Sequence, residues 1–414
     1  MFAPNPEPAR LSRVEFIALL AMLFATVAFS IDSMLPALPE IGRALSPENP
    51  NQAQLVLTSF VFGMGLGTFF TGPLSDSFGR KKVIVLGAVL YIVASAVALF
   101  TQGLEVLLLA RVVQGLGAAA PRIVGLAIVR DLYSGRDMAR IMSFAMMIFT
   151  LVPAVAPLLG AGVIALVGWR GIFGSFILFS IFATGWLAWR QPESLPLQSR
   201  RPFQLSRIWA AVGEMLSHQT VRLSVMTQTL CFATLFMSIS LIHPIFDDVF
   251  DRADSFPFWF AFVALASGSA SLLNATLVMR LGMRRMVTLA IAAQLFLSVS
   301  MSLIWFQFGA DGLGDMMFYV FVAWVTSVFF NAGLTLGNLN AITLEPLGHI
   351  AGTAASVSGG LATVISAAIA APVGLSFNGT PLPLTLGVSI SMGLALWVML
   401  SMQRFDTSGE VAAE

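Results

Sequence analysis

Charge is scarce in this sequence. Asp, Glu, Lys and Arg make up 10% of its 414 residues, against about 25% in a soluble globular domain. With 57% hydrophobic residues, such a chain cannot cover a water-exposed surface, so lipid must be part of its solvent. The charge that exists is balanced, 22 Lys and Arg against 21 Asp and Glu, which argues against a nucleic-acid binder. A single cysteine, Cys231, excludes an intrachain disulfide. His218, His243 and His349 are scattered without metal-ligand spacing, and neither a hydrolase triad nor a phosphate-binding loop is present. An enzyme is poorly supported, and no cofactor or metal is expected.

Long apolar runs are what the sequence has instead. A helix crossing the hydrocarbon needs about 20 apolar residues. Charge-free runs of that size occupy 49–75, 83–104, 141–169, 171–189, 223–246, 255–279, 286–310 and 316–344, and 346–403 holds two more, broken at 375–383. Two further spans carry charge: 14–38 contains Asp32, and 104–130 contains Arg111 and Arg122. The total is twelve. Arg10 and Arg13 precede the first span, but no small-x-small cleavage site follows it, so it reads as retained rather than as a signal peptide. With the N-terminus inside, the inner segments hold seventeen Lys and Arg, from Arg10 to Arg404, and the outer loops only Arg43, Arg170 and Arg252. Both termini are therefore expected in the cytoplasm.

The segment 190–209, rich in Pro, Ser and Arg, reads as a cytoplasmic linker with a surface helix near 205–218. It divides the chain into 1–190, a linker 191–219 and 220–414, with six spans on each side. The polar knot "GPLSDSFGRKK" (72–82) between spans 2 and 3 is echoed by "NATLVMRLGMRR" (274–285) between spans 8 and 9: Gly79 aligns with Gly282, while Asp76 has no acidic counterpart. The expected fold is all-α, twelve membrane helices in two six-helix repeats. Transporters of that build bind substrate near the midplane, between the halves.

These residues resemble a known family. "GPLSDSFGRKK" is similar to the loop 2–3 signature of the major facilitator superfamily. "RVVQGLG" (111–117) resembles the span 4 motif of its proton-driven drug exporters, and "VPAVAPLLGAG" (152–162) their span 5 antiporter motif. "DSMLPALP" (32–39), "WRGIF" (169–173) and "EPLGHIAGTAAS" (345–356) resemble the bicyclomycin/chloramphenicol resistance branch. There are departures. Ala156 and Ala161 stand where the antiporter motif has glycine, and the acid that some relatives carry two turns before Asp32 is absent, as Phe24 and Thr26 show.

The resemblance implies roles for the knot. Gly72 and Gly79 permit close approach and unusual backbone angles. Asp76 faces the N-terminus of span 11, where the helix dipole favours negative charge, and Arg80 pairs with Asp131 at the end of span 4. Together they latch the halves; the alternative is a solvated turn obeying the positive-inside rule. An intramembrane carboxylate is costly, so Asp32 is either a carrier of the transported proton or a structural hydrogen-bonding group. Arg111 and Arg122, close to three helical turns apart, share one face of span 4. Arg111, with Gln114 one turn later, either lines a polar cavity and tunes Asp32 or ties backbone carbonyls together. Arg122 is placed in the outer half, as a counter-ion for Asp32 or a contact for an anionic substrate.

Pro153, Pro157, Gly160 and Gly162 make a bent, small-residue surface for packing against span 8 at 264–271. Gln228, Asn274, Asn331 and Asn338 either line the substrate cavity or bond neighbouring helices. The chain is expected to export lipophilic or amphipathic small molecules in exchange for protons, as a monomer in the bacterial inner membrane. A dedicated transporter of one metabolite, anionic in view of the two arginines, is an alternative. A sensor or assembly factor on the same scaffold is another.

Overall fold

The computed structural model describes residues 11–309 and 312–411. Arg10, counted among the inner cations, lies outside them, and the side chain of Arg404 is likewise not described. Among the described residues there is no β-strand. The helices are α1 (Arg13–Asp32), α2 (Leu38–Leu45), α3 (Leu55–Phe78), α4 (Arg80–Phe100), α5 (Leu104–Leu132), α6 (Gly135–Val167), α7 (Gly171–Arg190), α8 (Leu205–Ser217), α9 (Gln219–Pro244), α10 (Phe256–Gly268), α11 (Ala270–Leu281), α12 (Met283–Phe308), α13 (Asp315–Leu344), α14 (Ala351–Leu375) and α15 (Leu382–Val411). Among the described residues, eleven helical segments are long and apolar enough to cross a membrane. One of them, Asp315–Leu375, is α13 and α14 joined by a 3-10 turn that is non-helical at Leu347. The crossings therefore number twelve, at the positions the apolar runs predict.

Several spans depart from a plain helix. The eighth is divided into α10 and α11 at Ser269, inside the small-residue run 264–271, where the backbone bonds tighten to a 3-10 pattern (Ser269 N–H to the Ala266 carbonyl, 3.2 Å). The seventh continues past Pro244 into a π-helical turn, Ile245–Val249. Proline also interrupts the hydrogen-bond ladders of α3, α5, α6 and α14 at Pro73, Pro121, Pro153, Pro157 and Pro372. Membrane helices tolerate this because side chains and neighbouring helices satisfy the freed carbonyls.

Lipid gives helices no hydrophobic reason to associate, so close van der Waals packing decides which faces meet. The tightest crossing is α3 on α5: a Cβ on Gly63 would lie 2.0 Å from the Val112 carbonyl oxygen, and one on Gly115 2.1 Å from that of Phe60. Around this pair α4 packs on α5 and α7, and α1 on α5, α6 and α7. In the last six spans α9 packs on α13, α14 and α15, and α12 on α13 and α15. The two sets meet along α3 with α14 and α6 with α10. Away from these seams, α4 shows lipid a stripe of Leu86, Val89, Leu90, Val93 and Val97, and α15 shows Leu386, Ile390, Leu394 and Trp397, each at helical spacing.

Candidate functional site

Asp32 is the last residue of α1 and is buried, at 5% exposure. Its carboxylate makes no ion pair and no hydrogen bond among the described residues. The chain beside it is held from two directions. Ser33 is wholly buried and donates through Oγ to the Phe29 carbonyl (2.5 Å). Gly160 of α6 lies against Ser33, where a Cβ would sit 2.2 Å from the Ser33 carbonyl oxygen. The antiporter-like motif thus touches the residue after Asp32 as well as forming, through α6, a seam with α10. A Cβ on Gly162 would meet nothing within 4 Å, so this glycine takes no part in the contact.

Arg111 is completely buried, one helix away. Nε donates to the Val56 carbonyl (3.1 Å), Nη2 to the Ser30 carbonyl (3.1 Å) and Nη1 to Gln114 Oε1. The guanidinium carbon stands 4.3 Å from the centroid of the Phe60 ring. Gln114 Nε2 donates to Ser95 Oγ (2.6 Å), and the hydroxyls of Ser30 and Tyr91 share a bond of 2.6 Å. This network ties α1, α3 and α4 to α5. The expectation that Arg111 and Gln114 line an open cavity is corrected: with no accessible surface they form an internal strut. The strut ends on the backbone two residues before Asp32.

Arg122 differs in every respect. It is exposed and makes no ion pair or hydrogen bond among the described residues. Eleven residues at 1.5 Å rise put it about 16 Å along α5 from Arg111, toward the end that carries Asp131. Its expected place in the outer half beside Asp32 is therefore corrected, and no ion pair joins the two. Sharing a helix face says nothing about depth, and depth separates them.

The four candidate amides of the last six spans also divide. Asn338 Nδ2 donates to Asn274 Oδ1 (2.7 Å), a bond between α13 and α11. Asn331 Nδ2 contacts Met392 Sδ (3.7 Å), leaving its buried Oδ1 without a partner. The buried Oε1 of Gln228 is also unpaired.

The knot folds as the C-terminal turn of α3, a reversal at Gly79 (φ +101°) and the start of α4. Arg80 Nε donates to Asp131 Oδ2 (2.9 Å), while Nη1 donates to Ser75 Oγ (2.7 Å) and to Asp76. In this structure Asp76 does not touch the N-terminus of α14; its partner is Arg80, one turn on. Between Asp76 and the residues 348–353 that open α14 lies a cavity of about 530 Å³, also lined by Arg130, Arg201 and Arg207. Gly72 does meet α14, since a Cβ there would be 3.0 Å from Ser356 Oγ.

Sequence reasoning missed Glu193. Its carboxylate accepts from the backbone N–H groups of Arg80 (2.8 Å), Lys81 (3.2 Å) and Leu195 (3.1 Å). A signal was available. A helix start leaves orphan N–H groups, and Gly79 has no side chain to cap α4, so an acceptor had to come from elsewhere. Ser194 Oγ donates to Asp131 Oδ2 (2.9 Å), and Arg201 N–H donates to the Asp76 carbonyl (3.1 Å). The linker is thereby clasped to α3, α4 and α5.

The Major Facilitator Superfamily model matches residues 18–372. The chain belongs to this superfamily. A bicyclomycin resistance protein homolog of Haemophilus influenzae is 28% identical over 95% of this chain and 98% of its own length. A chloramphenicol resistance protein of Pseudomonas aeruginosa is 36% identical over 44% of this chain and 43% of its own. The crystal structure of a D-xylose-proton symporter superposes with a TM-score of 0.72 at 15% identity, covering 94% of this chain and 97% of that one, which establishes a shared fold. A twelve-span member of this superfamily is a multi-pass membrane transporter of small molecules, not an enzyme.

Proposed function

We propose that this superfamily member is a proton-coupled exporter of lipophilic or amphipathic small molecules, working by alternating access in the bacterial inner membrane. The single observation that carries the reading is Asp32: a carboxyl buried in a membrane span with no partner among the described residues, whose neighbouring backbone is gripped by the helix that forms one seam between the halves. A group in that place exchanges its proton with opposite sides as the seam moves, which is what antiport requires. Residues 1–190 rock against 220–414, joined by 191–219, with both termini cytoplasmic and the chain acting as a monomer. The relatives named for bicyclomycin and chloramphenicol resistance support drug-like substrates. Among the substrate contacts we include Gln228 and Asn331, whose buried amide oxygens lack partners.

The Arg80 cluster serves as the latch. In this structure it clasps the linker, and Asp76 stands across the cavity from α14. Closing that cavity brings Asp76 to the α14 N-terminus, where the helix dipole favours it. The exposed, unpaired Arg122 favours a second reading, in which the substrate carries an anionic group.

The test is Asp32→Asn in everted vesicles with an imposed pH gradient. The variant is expected to insert and fold, yet to lose uphill transport of chloramphenicol. Uphill transport at the original rate would show that another group carries the proton.

A further inference from the structure

We propose that His243 is a second protonatable group of the transport cycle, the counterpart in the last six spans of Asp32 in the first six. The inference rests on the antiport reading above. His243 is 4% exposed, and its Nδ1 is buried without a hydrogen-bond partner. Its ring meets Phe256 edge-on, with centroids 4.7 Å apart. An ionisable side chain within a membrane span is costly to keep and marks function by default. A ring needed only for shape would be an apolar one here, because Phe246, Phe256, Phe260, Phe318 and Phe321 already fill this region.

Position strengthens the case. α1 ends at Asp32 and α9 at Pro244, so each buried titratable group lies in the last turn of the first helix of its half. Each is followed by irregular helix: the 3-10 turn Leu35–Ala37 after Asp32, and the π-turn Ile245–Val249 after His243. π-turns inside helices concentrate at functional sites. α9 also packs against the Leu35–Ala37 turn itself, so the two helix ends belong to one region of the seam.

The titratable and charged groups that the surrounding elements bring to this end are few. They are Asp32 before the 3-10 turn, Glu40 and Arg43 on α2, Asp247 and Asp248 in the π-turn, Asp251 and Asp254 between that turn and α10, and Asp315 at the start of α13, which is paired with Arg252 at 2.9 Å. The spans α10 and α14 carry no charged residue, and α3 and α15 carry theirs at the far end. At this end the acids outnumber the two cations Arg43 and Arg252, so an imidazolium at 243 would meet a net negative surrounding. In the proposed step the neutral ring's free lone pair takes one proton from water, giving a cation, and returns it to water when the cavity faces the other side. Histidine suits this because its charge changes near physiological pH.

Two measurements test it. In the H218Q/H349Q protein the remaining imidazole, ¹³C-labelled, is followed by NMR from pH 4 to 8, with and without chloramphenicol. We expect the signal to titrate, with a midpoint that chloramphenicol moves. A signal fixed at the neutral-ring position in both conditions overturns the proposal. In proteoliposomes, wild type, D32N and H243N are compared for protons moved per chloramphenicol and for the pH profile of transport. H243N is expected to move fewer protons per substrate and to show a shallower profile, with substrate affinity within about twofold of wild type. An unchanged stoichiometry and profile in H243N, beside a wild type that moves protons, overturns this inference alone. A wild type that moves none overturns the antiport reading and this inference with it.

Discussion

Two arginines eleven residues apart on α5 meet opposite surroundings, and their substitutions should separate accordingly. Arg111 spends its donors on two carbonyls and Gln114. Helix-to-helix hydrogen bonds in membranes contribute on the order of 1 kcal/mol each, so Arg111→Ala should lower stability by about 2–3 kcal/mol and impair transport of every substrate. Arg111→Lys should recover part of this, because an ammonium keeps the charge without the planar fork. Thermal unfolding in detergent reads the effect, and an unchanged melting temperature would contradict the strut. Arg122→Ala should leave stability nearly intact and act selectively. A lost charge-assisted bond is worth about 1.5–3 kcal/mol, so an acidic ligand should lose roughly 10- to 100-fold in affinity and its methyl ester little. Equal losses for acid and ester would remove the support for an anionic substrate.

At the scale of the element, α6 shows how a motif acts through one of its residues. A side chain at Gly160 cannot fit, because its Cβ would overlap the Ser33 carbonyl. Gly160→Val should therefore push α6 off α1, with an overpacking cost of about 1–3 kcal/mol, and should abolish efflux by displacing the end of α1 that carries Asp32. Gly162→Ala meets open space and should stay within about 0.5 kcal/mol of wild type. The pair compares two glycines of one motif by drug-resistance assay and melting temperature. Equal behaviour would mean that the α1–α6 contact is not what the motif protects. Pro153, Pro157, Gly160 and Gly162 suggested a small-residue surface for packing against span 8, and α6 does pack on α10. That the crossing also lands on Ser33 depends on where α1 ends, which periodicity does not encode.

At the scale of the whole molecule, the proposed latch assigns to the knot the choice of which side of the seam is closed. Asn51 Nδ2 donates to the Phe377 carbonyl (2.6 Å), joining the start of α3 to the end of α14, while the other ends of the same helices flank the 530 Å³ cavity. Asp76→Asn removes a half-exposed pair with Arg80, worth less than about 1 kcal/mol to stability. It also removes the charge that would meet the α14 N-terminus on closure, so the cavity-open state should gain population. Spin labels at Glu48→Cys and Asp254→Cys, in a chain lacking Cys231, should then report shorter distances. Unchanged distance distributions would contradict a latch.

The sequence by itself determined the twelve crossings, the break before α15, the linker helix and the superfamily, because lipid imposes a length and an apolarity on every span that local composition must satisfy. It also singled out Asp32, since an acid in such a run stands out without any structure. The tertiary structure alone decided the partners. Glu193 caps a helix more than a hundred residues earlier, Arg111 is a strut from α5 to α1 and α3, and Asn338 bonds Asn274. These are contacts between segments distant in the chain, set by the depth and rotation of packed helices. A single sequence records which residues can form a hydrogen bond, and the assembled bundle brings each donor to its acceptor.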